Sequence, residues 1–177
     1  WSAGPRSRAA SGGSKTPRVT ARKDSAFLFD LDGTLIDSVY QHVIAWREAL
    51  QEVDLSIAVW TIHRRIGMSG GLFVTALRRE LAELGEQLDE ETVARLPDLH
   101  AEAFLRHYGG VRPLPGASDL LNGLTEMGIP WAIATSGAEG TAGRARAMLG
   151  LPEDVPMVTR DQVRYAKPDP DLFLTAA

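Results

Sequence analysis

The chain has 177 residues, 44% hydrophobic and 24% charged, enough for one domain with a modest second lobe around a real core. It contains no cysteine, which removes disulfide frameworks, thiol nucleophiles and thiolate metal sites, leaves oxygen and imidazole as metal donors, and fits a reducing compartment. No stretch approaches the roughly 18 consecutive apolar residues of a membrane helix and no apolar run opens the chain, so it reads as a soluble, cytoplasmic protein without a membrane partner.

Charge is uneven. Residues 1–23 carry Arg6, Arg8, Lys15, Arg18, Arg22 and Lys23 and no acidic residue, which leaves 13 basic against 23 acidic residues in the remainder, a net −10. An acidic body with a short basic tail lacks the basic face that nucleic-acid binding needs. The tail, taken as residues 1–24, is rich in Ser, Gly and Pro and reads as disordered. Its Arg- and Ser-rich composition is also that of a targeting peptide, but no amphipathic helical pattern accompanies it.

The first element is the apolar run AFLFD from Ala26, a buried strand that opens into a loop at an acidic residue. Asp37 and Ser38 then offer N-cap chemistry before a long amphipathic helix in which Val39, Val43, Trp46 and Leu50 recur at helical spacing. Further helices are expected at about 56–66, 70–84 and 89–107, with no strand among them. Four consecutive helices, residues 39–109, read as an insertion between the two halves of another domain, residues 25–38 and 110–177. Trp60, Phe73 and Phe104 are expected to form the core of that insertion.

After Gly109–Gly110 and the RPLPGA turn, a helix at about 117–127 precedes the apolar run IPWAIAT, a helix at about 139–149 and a last run, VPMVT. Strand, helix, strand, helix predicts an α/β fold with a parallel, Rossmann-like sheet. Ligands of such sheets bind beyond the carboxyl ends of the strands, where Asp30, Thr135 and the loop after Thr159 fall.

Three short segments carry chemistry. In Phe29-Asp30-Leu31-Asp32-Gly33-Thr34, two carboxylates at a strand end suit a division of labour, one an ionised nucleophile and the other a proton carrier. Their shared negative charge, facing a phosphate, calls for a cation, and magnesium suits carboxylates, carbonyls and waters. A calcium loop numbered from Asp30 would need Gly at the position of Leu35 and Glu at that of Gln41. Thr135, Ser136 and Gly137 offer a hydroxyl and helix-start N–H groups to phosphate oxygens, although Thr-Ser-Gly is equally a helix cap. Lys167, one of only three lysines beside sixteen arginines, places a compact positive charge after the third strand.

FDLDGTLIDS, ATSG and AKPDPDLF, in that order, resemble the first three motifs of the haloacid dehalogenase superfamily, over Ala26 to Ala177. The resemblance implies Asp30 as nucleophile, Asp32 as general acid/base, an Asp30 carboxylate oxygen and the Asp32 carbonyl as magnesium ligands, Thr135 as hydrogen-bond donor to a phosphate oxygen and Lys167 as charge stabiliser. It further implies a flap from Leu35 to Ser38 and a mobile cap over residues 39–109. The superfamily's fourth motif, an acidic pair on the next strand, has no counterpart before Ala177. The expectation is that residues 1–177 alone hold magnesium poorly, expose a sheet edge beside AFLFD and turn over little or no substrate.

Within the superfamily, Asp32 supplies the acid that true dehalogenases lack, and the absence of Lys between Ser38 and Arg112 removes the Schiff base of phosphonate-cleaving members. His42 and Trp46 resemble positions of the β-phosphoglucomutase-like group, where His42 could orient the acid/base. That group's loop Arg is missing after Gly67. The expected function is therefore a phosphatase for a small phosphorylated metabolite, with a sugar-phosphate mutase or a non-catalytic fragment as alternatives. Arg64 and Arg65 are candidate substrate contacts, or simply residues of an exposed helix face. Oligomeric state is not legible.

Overall fold

The computed structural model describes residues 25–177. The expected disorder of the N-terminal tail therefore lies outside the described residues.

β1 (Phe27–Phe29) pairs in parallel with β4 (Trp131–Ala134), and β4 with β5 (Met157–Val158), in the order β1-β4-β5. Ala132, Ile133 and Ala134 are buried at the centre, as continuous apolar runs demand, while Phe27 on the edge strand β1 is 46% exposed. α5 (Ala117–Glu126) leads into β4, α6 (Glu139–Leu149) joins β4 to β5, and α7 (Asp171–Ala176) packs on both of those strands.

As expected, β1 opens at Asp30 into a loop, and the loop is tight. The Leu31 carbonyl accepts from the N–H groups of Thr34, Leu35 and Ile36, and Gly33 N–H donates back to the Ile36 carbonyl at 2.8 Å. Gly33 sits at φ +75, where a side chain would be strained, and a Cβ there would come within 2.8 Å of Val39 Cγ2. Leu31 points into the core, so its neighbours Asp30 and Asp32 share the other side of the loop. β2 (Ile36–Asp37) then pairs antiparallel with β3 (Arg112–Pro113), a ribbon the sequence did not reveal because each strand has only two residues. It clasps the two crossings between the sheet and the helical layer.

That layer consists of α1 (Val39–Gln51), α2 (Val59–His63), α3 (Gly70–Glu83) and α4 (Glu90–His107). α4 starts where Asp89 accepts from Thr92 N–H at 2.7 Å. α2 is only five residues long, far shorter than the expected 56–66. Ala58 at its start offers no capping oxygen, and Gly67 at φ +99 turns the chain away. The layer has its own hydrophobic cluster, including Val43, Trp46, Leu50, Ile62, Phe73, Leu77 and Leu96. Ala45, Ala103 and Phe104 belong instead to the sheet-side cluster with Leu31, Leu35, Val111 and Ile133. α1 and α4 therefore contribute to both cores.

Two expectations for the aromatic residues need correction. Phe73 is buried, stacked on Trp46 with ring centroids 3.9 Å apart, but Phe104 packs toward the sheet, and Trp60 is 63% exposed. The short α2 buries Ile62 as its anchor, which turns Trp60 outward beneath the Arg64 guanidinium, 4.9 Å from the ring centroid. Replacing Phe73 with Ala is expected to cost about 3–5 kcal/mol in urea unfolding, the usual loss for a buried aromatic. A loss under about 1 kcal/mol would show that α3 does not depend on this contact.

Candidate active site

The C-terminal ends of the three parallel strands bring together residues far apart in sequence. Lys167 reaches Asp30 across 137 positions, its Nζ donating to Asp30 Oδ1 at 2.5 Å and to the Ala134 carbonyl at 2.9 Å. Leu31 N–H donates to the same Asp30 oxygen at 2.7 Å. Asp30 Oδ2 keeps no hydrogen bond among the described residues. A carboxylate loaded on one oxygen and bare on the other presents that second oxygen to a reaction partner.

Asp32 is arranged differently. Its Oδ1 accepts from Ser38 Oγ at 2.6 Å and faces His42 Nε2 at 3.3 Å. Ser38 is fully buried just before α1, so the ribbon-to-helix junction fixes its hydroxyl. Burial by itself would raise the Asp32 carboxyl, but the hydrogen bonds from His42 and Ser38, together with the nearness of His42 and Lys167, hold it below the ordinary carboxylate value.

Thr135 and Ser136 stand at the end of β4. Thr135 is fully buried, its N–H bonded to the Val158 carbonyl and its Oγ1 accepting from Gly137 N–H at 2.9 Å. Of the N–H groups expected to be open around the start of α6, that of Glu139 donates to Asp161 Oδ2 at 2.8 Å and that of Gly137 to Thr135 Oγ1. Ser136 keeps a free capacity, its buried Oγ having no partner among the described residues. At Gly137 a Cβ would lie 3.2 Å from Thr135 Oγ1 and 3.9 Å from Asp32 Oδ2, so a side chain there would make the Thr135 hydroxyl give way by a few tenths of an ångström.

A cavity lies between the strand ends and the helical layer, walled by Asp32, Ser136, Gly137 and Arg160 on one side and by His42, Trp46 and His100 on the other. Ile66, Met68, Pro97 and Phe104 make most of the remaining wall apolar. Arg64 and Arg65 do not reach it. Arg65 is buried and committed to the Thr61 carbonyl at 2.8 Å and to the Glu80 carboxylate, tying α2 to α3. Arg64 is exposed over Trp60. Sequence spacing marked both as cations on a helix, but α2 ends too soon to aim them inward.

His100 and Arg160 are cavity residues that sequence reasoning passed over. His100 stacks on Trp46 with centroids 4.2 Å apart, and its Nε2 lies 3.2 Å from His42 Nδ1. His42 in turn stacks on Phe104 with centroids 3.8 Å apart. Only the helical spacing of Pro97, His100, Ala101 and Phe104 along α4 could have pointed to His100, and nothing in the sequence says which partner that face meets.

Among the described residues no group of three His, Asp or Glu side chains converges to hold a metal ion. The Asp30 carboxylate and the Asp32 main-chain carbonyl stand two residues apart just beyond β1 instead. This donor set fits a hard ion that takes one or two carboxylates, keeps waters and shares a substrate phosphate, as magnesium does.

Residues 25–177 match the sequence profile of the haloacid dehalogenase-like hydrolases. The chain is 37% identical over 153 residues to hexitol phosphatase A of Escherichia coli K12, covering 85% of this chain and 66% of that protein. It is 34% identical over 157 residues to a phosphoglycolate phosphatase of Rhodospirillum rubrum, covering 82% and 62%. The chain thus spans slightly under two thirds of the length of these relatives. A hydrolase from Pseudomonas syringae superposes with a TM-score of 0.80 at 49% identity, covering 86% of this chain and 68% of that one. No helix among the described residues is long and apolar enough to cross a membrane.

The burial of His100, and then its closeness to His42, push its imidazole down from 6.5 to about 3, against the opposing pull of Asp32. The folded protein therefore keeps this ring neutral where the unfolded chain protonates it. Between pH 6.5 and about 3 the unfolded state binds the extra proton, so stability falls as pH drops through that window, by at most about 1.4 kcal/mol per pH unit. Unfolding midpoints measured from pH 7 to pH 4 should show a shallower decline in His100→Phe than in the wild type; parallel curves would refute the neutral ring.

Proposed function

Because this chain belongs to the haloacid dehalogenase-like hydrolase family, we propose that the protein is a magnesium-dependent phosphatase for a small phosphorylated metabolite, working through an aspartyl-phosphate on Asp30. The observation that carries the reading is the Asp30–Lys167 contact, with Asp32 two residues on and held separately by Ser38 and His42. One carboxylate is paired to a cation with a bare oxygen left over. Its neighbour is hydrogen-bonded on a single oxygen and faces the cavity.

In the first half-reaction Asp30 Oδ2 attacks phosphorus, the ester P–O bond breaks, and Asp32 gives a proton to the leaving oxygen. In the second, Asp32 takes a proton from water, whose oxygen attacks the same phosphorus and frees the Asp30 carboxylate. The lowered Asp32 carboxyl of the resting site suits the second half. A phosphate dianion entering beside it supplies the like charge that favours its protonated form for the first. Lys167 neutralises Asp30 and the transferring group, and two hydroxyls can donate to phosphate oxygens: that of Thr135, which accepts from Gly137 N–H and keeps its own proton, and that of Ser136, unpartnered in its buried position. Magnesium, held by Asp30 and by the Asp32 main-chain carbonyl, would supply further neutralisation of the phosphate.

Residues 39–109 are proposed as the cap, with the Leu35–Ser38 segment as the flap. The cavity wall that the cap contributes has no Lys or Arg, and Arg160 comes from the sheet side. A second anionic group pressed against Trp46, Ile66, Met68 and Pro97 would lose its hydration without a partner. The proposed substrate is therefore the monophosphate of an uncharged body, such as the polyol named for hexitol phosphatase A, rather than a phosphorylated acid.

In the purified gene product, Asp30→Asn is expected to lower turnover of p-nitrophenyl phosphate by at least about a thousandfold, and chelation to abolish it until magnesium is restored. Full activity of the amide variant would end the covalent reading. In a metabolite panel, kcat/KM for hexitol monophosphates is expected to exceed that for phosphoglycolate by at least roughly tenfold, the scale of one unpaired buried group. Equal values would reject the uncharged-body assignment.

A further inference from the structure

Four rings and a carboxylate form a connected set from the helical layer to the site. Trp46 stacks on His100, His100 Nε2 meets His42 Nδ1 at 3.2 Å, His42 stacks nearly parallel on Phe104 at an interplanar angle of 2°, and His42 Nε2 meets Asp32 Oδ1 at 3.3 Å. Each imidazole is therefore fixed in its plane by an aromatic face. What the stacking does not fix is which ring nitrogens carry protons.

The hydrogen-bond partners decide that. Asp32 Oδ1 already accepts from Ser38 Oγ at 2.6 Å and meets His42 Nε2 at 3.3 Å, and an oxygen that accepts from both leaves His42 Nε2 to carry the proton. Between His42 Nδ1 and His100 Nε2, one nitrogen has to donate and the other accept. Among the described residues His100 makes no hydrogen bond through Nδ1, so a proton there would have no acceptor, whereas a proton on Nε2 has one in His42. The neutral state of His100 leaves it a single ring proton to place. A ring whose second nitrogen is addressed by a fixed neighbour has its tautomer set by that neighbour, as for metal-binding and catalytic histidines.

We propose that His100 is a positioning residue for the acid/base: it donates Nε2–H to His42 Nδ1 and so locks His42 in the tautomer that aims Nε2–H at Asp32. The proposal rests on the reading of Asp32 as acid/base. His100 itself acts only through His42, since its polar contact is with that ring and no bond to Asp32 is present. Because His42 lies on α1 and His100 on α4, the tautomer lock exists only while these two helices are packed together over Asp32.

Two independent readouts test this. In wild-type protein with magnesium, 15N spectra of the histidine rings should show His42 with a bare Nδ1 and a protonated Nε2, and His100→Phe should mix or reverse that pattern. A proton found on His42 Nδ1 in the wild type overturns the proposal, whatever the activity. For turnover, His100→Phe keeps a ring against Trp46 but loses the donor, and is expected to lower kcat roughly tenfold with KM unchanged. His100→Gln, whose amide nitrogen can occupy the place of Nε2, should recover most of that loss. A wild-type kcat in His100→Phe, or His100→Gln as slow as His100→Phe with both folded by circular dichroism, overturns it. Asp30→Asn separates the two readings: if it is inactive while His100→Phe is normal, the phosphatase assignment stands and only the positioning role falls.

Discussion

Negative charge concentrated at the end of one short strand is the constraint around which the site is arranged. Asp30 and Asp32 are brought to one side of a loop by burying Leu31 between them, and two carboxylates so placed repel each other and any phosphate. Each is answered separately. Lys167 comes from beyond β5 to Asp30 and anchors on the Ala134 carbonyl of the central strand, so the ammonium is held by both the charge and the sheet. Ser38 and His42 answer Asp32 from the start of α1. The answer to Asp30 comes from 137 positions away, whereas that to Asp32 comes from Ser38 at the end of the same motif and His42 four residues on, so the two carboxylates sit in different surroundings although only two residues apart.

The helical layer takes part in the chemistry through the same contacts that hold it in place. α1 and α4 bury Trp46 and Leu96 in the layer's own core while lending Ala45, Ala103 and Phe104 to the core beneath the sheet. The His42–Phe104 stack sits where those two cores meet, and it faces the cavity. Packing and site geometry are consequently coupled here. By contrast, the arginines of α2 are spent on structure and surface: Arg65 crosses to Glu80 and Arg64 covers Trp60. The cavity is left with an apolar helical wall, and that wall is the physical ground for favouring an uncharged substrate body.

Much of this plan was legible in the residues. Apolar runs ending in Asp30, Thr135 and Thr159 identified the parallel strands, because a strand covered on both faces has to be apolar throughout. The order of the three short motifs along those strands, through its resemblance to a known family, supplied the proposed catalytic group. Less legible were the two-residue strands Ile36–Asp37 and Arg112–Pro113, too short to show any period, and the length of α2, where helical periodicity continued past the point at which Gly67 turns the chain. Trp60 was misread for a similar reason: hydrophobicity suggests burial, but on a helix of five residues a single anchor, Ile62, decides which side faces in.

The sequence by itself determined the α/β class and most of the succession of strands and helices, since local apolar patterning is a property of consecutive residues, while the expectation that Asp30, Asp32, Thr135 and Lys167 act as one group came from the resemblance of three short motifs to a known family. Only the tertiary structure decided which side chains meet across long separations. Lys167 and Asp30 are 137 positions apart, and His42 and His100 are 58 apart on different helices. Such pairs depend on the packing angle of whole elements, which no short window of residues encodes, and so the cation opposite Asp30 could be guessed from its motif while the second imidazole could be found only in three dimensions.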